Sequence, residues 1–114
     1  MLPRQNRLKG VKNFKEVQKK GKVINSNSFG LAYLKREDEK PSRFGFVIST
    51  KISKLATLRN RARRALGEKI RQSSKNIKDG YDCIFLAKPP IIKTYTQDLM
   101  KEVEEILTKA KIYK

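Results

Sequence analysis

Residues 43–88 read RFGFVISTKISKLATLRNRARRALGEKIRQSSKNIKDGYDCIFLAK. The stretch opens on Arg43-Phe44-Gly45-Phe46-Val47-Ile48-Ser49, a short run rich in aromatic and β-branched residues, which predicts a strand. From Thr57 the period changes. Leu58, Ala62, Ala65, Leu66 and Ile70 recur at helical spacing and predict a helix over 58–74. Gly67 lies inside it and lowers helix propensity by about 1 kcal/mol relative to alanine. Asp79-Gly80 then supplies a turn, and Tyr81-Asp82-Cys83-Ile84-Phe85-Leu86-Ala87-Lys88 predicts a second strand that Pro89-Pro90 ends.

On the N-terminal side, Val11, Phe14 and Val17 recur among Lys12, Lys15, Lys19 and Lys20, and Gly21 follows. That pattern predicts a short amphipathic helix stopped by glycine. Residues 22–28 read as a very short strand or an irregular segment. Phe29, Leu31 and Tyr33 alternate with Gly30 and Ala32, predicting a strand over 29–35. With the polar turn Glu37–Ser42 between them, the strands of 29–49 are expected to pair as an antiparallel hairpin. On the C-terminal side, Thr94-Tyr95-Thr96-Gln97 offers a capping box. Leu99, Met100, Val103, Ile106, Leu107 and Ala110 then line one face of a final helix. No repeat or linker divides the 114 residues, so one domain over 1–114 is expected. The order α-β-β-β-α-β-α predicts an α+β fold, a single-domain α-β sandwich of one sheet covered by helices.

Lys and Arg number 28 against 11 Asp and Glu, a net charge of +17. The excess is uneven. Residues 1–28 hold eight cations against Glu16 alone, residues 50–78 hold ten against Glu68 alone, and residues 94–114 hold four of each sign. A surface built for solubility mixes signs throughout, whereas nearly pure cationic blocks repel themselves unless a polyanion relieves them. The balance points to nucleic acid as partner. No apolar run approaches the roughly 18–20 residues of a membrane span, and no signal peptide is visible, so a cytoplasmic protein with no membrane partner is expected.

The densest cationic element is Leu58-Arg59-Asn60-Arg61-Ala62-Arg63-Arg64. Arg59 and Arg63 stand one helical turn apart, as do Arg61 and Arg64 on the adjacent face. Planar guanidiniums bind phosphate oxygens bidentately and stack on bases, which lysine does not. A solvated helix face needs no such cluster and would mix in acids. The basic helix around Phe14, with the strand of Phe29, Leu31 and Tyr33, is a second candidate, because single-stranded RNA is held by rings interleaved with cations. The core reading is the stronger one for these phenylalanines, in a chain with so few large apolar residues.

Protein-borne catalysis finds little support. There is no histidine, and the one cysteine, Cys83, reads as a buried small hydrophobe and can build neither an internal disulfide nor a Cys-rich zinc site. Glu37-Asp38-Glu39 is the one carboxylate cluster that could hold metal, but it lies in a turn between Arg36 and Lys40 and reads as solvated.

With these residues in view, the chain resembles the bacterial ribonuclease P protein subunit. The resemblance runs from Arg7-Leu8 through Phe14, Gly21, the Phe29 strand, Arg43-Phe44-Gly45, Ser49-Thr50-Lys51 and Arg59-Asn60-Arg61-Ala62-Arg63-Arg64 to Gly80-Tyr81-Asp82, Leu86-Ala87-Lys88-Pro89 and the final helix. It implies the protein part of an endonuclease that removes 5′ leaders from precursor tRNA, in which the RNA subunit performs the hydrolysis with Mg²⁺ and the protein itself binds no cofactor. The implied partners are ribonuclease P RNA, in a 1:1 holoenzyme, and precursor tRNA. The implied fold has a left-handed strand–helix–strand crossover, as in a ribosomal-protein domain, although such connections are right-handed in about 98% of cases.

By the same resemblance, Lys51, Lys54, Arg59, Asn60, Arg61, Arg63, Arg64 and Arg71 are expected to bind the catalytic RNA. Lys12, Phe14, Gln18, Phe29, Ala32, Tyr33 and Ser49 are expected at the leader. The chain departs from the family pattern where Gln18 and Ala32 stand for aromatics, where Gly67 stands for a further arginine, and where Ile52–Leu58 lacks a Gly-Asn pair. The competing readings are a small basic ribosomal protein and a single-strand RNA chaperone.

Overall fold

The computed structural model describes residues 2–114 and has the seven elements in the expected order. These are α1 (Val11–Lys20), β1 (Lys22–Asn25), β2 (Phe29–Lys35), β3 (Arg43–Val47), α2 (Ala56–Ser73), β4 (Tyr81–Ala87) and α3 (Thr96–Lys109). The strands form one sheet in the order β1-β2-β4-β3. β2 is antiparallel to both β1 and β4, while β3 is parallel to β4.

The expected hairpin over 29–49 is therefore corrected: β2 and β3 are not neighbours. Asp82, Cys83, Ile84 and Phe85 are buried on both faces of β4. A strand apolar on both sides belongs in the middle of a sheet, and β4 takes the place between β2 and β3. β2 makes its hairpin with β1 instead, through a turn in which the Ser26 amide donates to the Phe29 carbonyl (2.8 Å).

Period-two alternation sorts the side chains into two layers. Phe29, Leu31, Phe44, Cys83 and Phe85 face α2 and α3, joining Leu66, Ile70, Val103 and Leu107 in the main core. Phe85 is its centre, with Phe29 edge-on at 5.2 Å and Phe46 stacked at 5.6 Å between centroids. On the opposite face Ala32 and Ile84 meet Leu8 and Val17 under α1. The capping box does not form: Tyr95 caps α3 without a side-chain bond, and the Thr94 hydroxyl donates to the Pro90 carbonyl (2.8 Å) instead.

Two carboxylates, the buried Asp82 and the half-buried Glu102, tie distant segments. Asp82, only 7% exposed, receives the Arg43 guanidinium through Nε (2.8 Å) and Nη2 (2.7 Å) and is also paired with Arg36. Arg36 donates as well to the Lys40 and Pro41 carbonyls, which fixes the loop between β2 and β3 across the start of β4. Glu102 on α3 accepts hydrogen bonds from the Ser28 amide (2.9 Å), the Ser28 hydroxyl (2.7 Å) and the Ser26 hydroxyl. Burial alone would raise the Glu102 pKa, but the bonds from Ser26 and Ser28 outweigh it and hold the carboxyl below its ordinary 4.5.

Asp82→Ala leaves Arg43 without a carboxylate and Arg36 with only the exposed Asp38, and should lower unfolding free energy by about 3–5 kcal/mol in urea denaturation; parent-like stability would sink the clamp. For Glu102 the depressed carboxylate stabilises the fold fully above the unfolded chain's 4.5 and loses that contribution as pH falls through the lower folded value. Stability of Glu102→Gln should accordingly fall less steeply than the parent's below that pH, and identical acid limbs would remove Glu102 from the account.

Candidate nucleic-acid interface

α2 is positioned by its apolar stripe. Ala62, Ala65, Leu66 and Ile70 are buried, so the remaining circumference carries the arginines outward. Each arginine is held differently. Arg59 folds back over the preceding loop, its Nη1 donating to the Ser53 carbonyl (2.8 Å). Arg61 reaches the Ile92 carbonyl (2.7 Å), just past the Pro89-Pro90 turn. Arg63 bonds the Asn60 side-chain oxygen (3.1 Å). Among the described residues no carboxylate lies within ion-pairing distance of Arg59, Arg61, Arg63 or Arg64.

Arg71 is placed otherwise. Its guanidinium forks onto Glu68, one turn earlier, and the hydrogen bond from Arg71 holds the Glu68 carboxyl at about 2. Glu68 neutralises Arg71, so the structure separates it from the four unpaired arginines. Lys51 and Lys54 are exposed in the loop that enters α2, where the Ile52 amide closes a turn on the Ser49 carbonyl (3.0 Å). Asn60, Arg63, Arg64, Gly67 and Glu68 border a groove with Leu2. A Cβ built at Gly67 meets nothing within 4 Å.

The α1 side gathers some of the expected leader residues and not others. Phe14 is half-buried, its ring laid on Gly45 so closely that a Cβ there would sit 2.5 Å from Cζ. Gln18 follows one turn later and is exposed, as are Lys12 and Ser49. Three expectations need correction. Phe29 is fully buried against Phe85 on the opposite face, and no base can reach its ring. Ala32 lies on the α1 face but is completely covered, with Val17 and Ile84 as neighbours. Tyr33 stands across from Lys22 and Cys83 and so shares the Phe29 face rather than the α1 groove.

The sequence reading missed Val23, Val47 and Leu86. Val23 pairs with Ala32, and Val47 pairs with Leu86, which puts all three on the α1 face. Val23 and Val47 are 53% and 37% exposed beside α1. The period from Gly45 to Val47 was the available signal, but it needs the strand order before it names a face.

Cys83 is fully buried, and burial pushes its thiol far above the usual range. Asp38 is held by Arg36 and by the Lys40 amide (3.0 Å). Among the described residues no three Asp, Glu or Cys side chains come together as a metal site. No helix is long and apolar enough to cross a membrane.

A family model described as Ribonuclease P matches residues 2–111. The ribonuclease P protein component of a Pseudanabaena species is 36% identical over 112 residues, covering 98% of this chain and 97% of that relative. The component from Caldanaerobacter subterraneus is 32% identical, covering 99% and 96%. Among solved structures, the RNase P protein of Staphylococcus aureus superposes with a TM-score of 0.89 at 26% identity, covering 96% and 98%. That of Thermotoga maritima, at 22% identity and a TM-score of 0.81, shares the fold, covering 90% and 96%.

Four guanidiniums without counter-ions predict an anion-dependent stability. An anion that binds only the folded state adds about 2.7 kcal/mol at a hundredfold excess over Kd. Phosphate should raise the melting temperature by several degrees, and chloride at equal ionic strength by much less. Changing Arg59, Arg61, Arg63 and Arg64 together to Gln should abolish the phosphate increment; an unchanged increment would place the anion elsewhere.

Proposed function

This chain belongs to the Ribonuclease P protein family, with a role in tRNA processing, and from that premise we propose that it is the RNA-binding subunit of a ribonucleoprotein that removes the 5′ leader from precursor tRNA. Hydrolysis belongs to the RNA subunit, which uses Mg²⁺; the protein binds that RNA one to one in the cytoplasm and binds the precursor. The observation that carries the reading is the outward face of α2, with four arginines free of carboxylates beside Lys51 and Lys54. Such a face offers forked donors at fixed spacing to a folded phosphate backbone.

The groove beside α1 takes the leader. Phe14 offers the aromatic edge not covered by Gly45, Lys12 stands on the same helix, and Val47 and Leu86 extend an apolar floor for a splayed base. Gln18 in place of a ring gives a hydrogen-bonding amide where a second base would otherwise stack. Leader binding accordingly leans on one aromatic and on backbone charge, with weak sequence preference.

Reconstitution with a bacterial ribonuclease P RNA at low Mg²⁺ tests the reading. Added protein should stimulate precursor-tRNA cleavage, and the protein alone should cleave nothing. Arg61→Gln with Arg63→Gln should weaken binding to the catalytic RNA and reduce the salt slope by roughly one to two units. Phe14→Leu keeps an apolar side chain over Gly45 and should cost about 1–3 kcal/mol of leader-dependent affinity. No stimulation by any bacterial RNA, together with co-purification on ribosomes, would overturn the assignment in favour of a ribosomal protein.

A further inference from the structure

A second cationic groove lies where the ends of α1 and α3 meet the start of β1, the end of β2 and the start of β4. It has a volume of about 540 Å³ and is bordered by Lys20, Lys22, Lys35, Lys109 and Lys111, with no acidic residue in its lining. Glu16 pairs with Lys20 (3.0 Å). Among the described residues no carboxylate lies within ion-pairing distance of the other four. Tyr33 and Tyr81 form part of the wall, with the Lys35 ammonium 5.8 Å over the Tyr81 ring. Neither tyrosine hydroxyl has a hydrogen-bond partner among the described residues, whereas that of Tyr113 bonds Ser73.

Compensation of helix dipoles accounts for only part of this. Lys20 and Lys109 stand in the last turns of α1 and α3, where cations are favoured. Lys22, Lys35 and Lys111 lie on strands or beyond the helix. Lys111 is the only described non-glycine residue at positive φ, 60°, in the turn that closes α3. Glycine is the default there, and a side chain in that conformation is strained. The sequence keeps a charged side chain at the position where a residue without one would be less strained, and it aims at an acid-free groove.

We propose that this lysine–tyrosine groove binds the phosphodiester backbone of single-stranded RNA, separately from the α2 arginine face and from the groove beside α1. Lysines act as sequence-blind point charges for successive phosphates. The tyrosine hydroxyls add donors for phosphate or 2′-hydroxyl oxygens, which suits RNA. The strand comes from the catalytic RNA or from the precursor, and both present the same chemistry.

The test uses the full chain and a labelled, short single-stranded oligouridylate, read by fluorescence anisotropy across a salt series. To silence the α2 face, the background carries Arg61→Gln, Arg63→Gln and Arg64→Gln. In that background, Lys22→Ala with Lys111→Gly should weaken binding roughly tenfold at low salt and reduce the salt slope by about 1.4, two phosphates' worth for a single strand. Lys111→Gly alone should melt no lower than its parent, which separates lost binding from lost folding. Unchanged affinity and slope would overturn the groove, as would displacement of the label by polyglutamate as readily as by unlabelled RNA. Gel shifts of the Lys22→Ala, Lys111→Gly double variant with catalytic RNA and with precursor tRNA then identify the source, a loss with either supporting the site and a loss with neither overturning it. Cleavage plays no part in these readouts, so their failure is distinct from failure of the subunit role.

Discussion

β4 is covered on both faces and hydrogen-bonded along both edges, and the rest of the molecule is arranged around that fact. Phe85 draws Phe29 and Phe46 onto one face, while Ile84 seats α1 on the other. Its placement between β2 and β3 keeps those consecutive strands apart, so the loop between them must cross the start of β4. The Asp82 carboxylate makes that crossing specific by gripping Arg43 from β3 and Arg36 from the loop. Because β3 and β4 run parallel, the chain must leave the sheet between them, and α2 is the crossover. The arginine face exists where it does because a parallel pair required a helix there.

Gly45 sets the second layer. The Phe14 ring occupies the volume a Cβ would fill, which brings α1 close enough for Val17 to be fully buried over Ala32. Close docking at this point leaves Val23 and Val47 uncovered at the sides of α1. The groove and the packing are one construction: the ring that closes the small core is also the ring at its mouth. Gly67 is the contrasting case, since no side chain crowds it and the helix tolerates it because α2 is held by Leu66 and Ile70 rather than by propensity.

What was legible in the sequence follows from what depends on local pattern. α1, α2, β2 and β4 were readable because each carries a clean period bounded by glycine, proline or polar turns. The pairing of β2 with β4 was not, since alternation in 29–35 and 43–49 fits a hairpin as well as it fits two strands separated by a third. The capping box failed for a tertiary reason: the Thr94 hydroxyl also stands 2.7 Å from that of Ser28, beside the Glu102 anchor. For the site, an arginine cluster is visible at any level, but the facing of Phe29, Ala32 and Tyr33 was beyond reach. Whether a ring on a strand is core or contact depends on which face the helix covers, and that depends on strand order.

The distribution of the acids explains where charge remains available. With cations so far in excess, every carboxylate that pairs leaves another region bare. Asp82 is committed to Arg36 and Arg43, Glu68 to Arg71, Glu16 to Lys20, and Glu104 stands 3.9 Å from Lys69 across the α2–α3 seam. Glu102 serves no cation but anchors the β1–β2 turn through two serines. These positions stitch elements together or sit at helix turns, and none pairs with Arg59, Arg61, Arg63 or Arg64. Random placement of the same acids would quench some of those guanidiniums. Carboxylates placed at such joints do two things: they tie elements of a small, self-repelling domain together, and they leave its outward arginines without a counter-ion among the described residues.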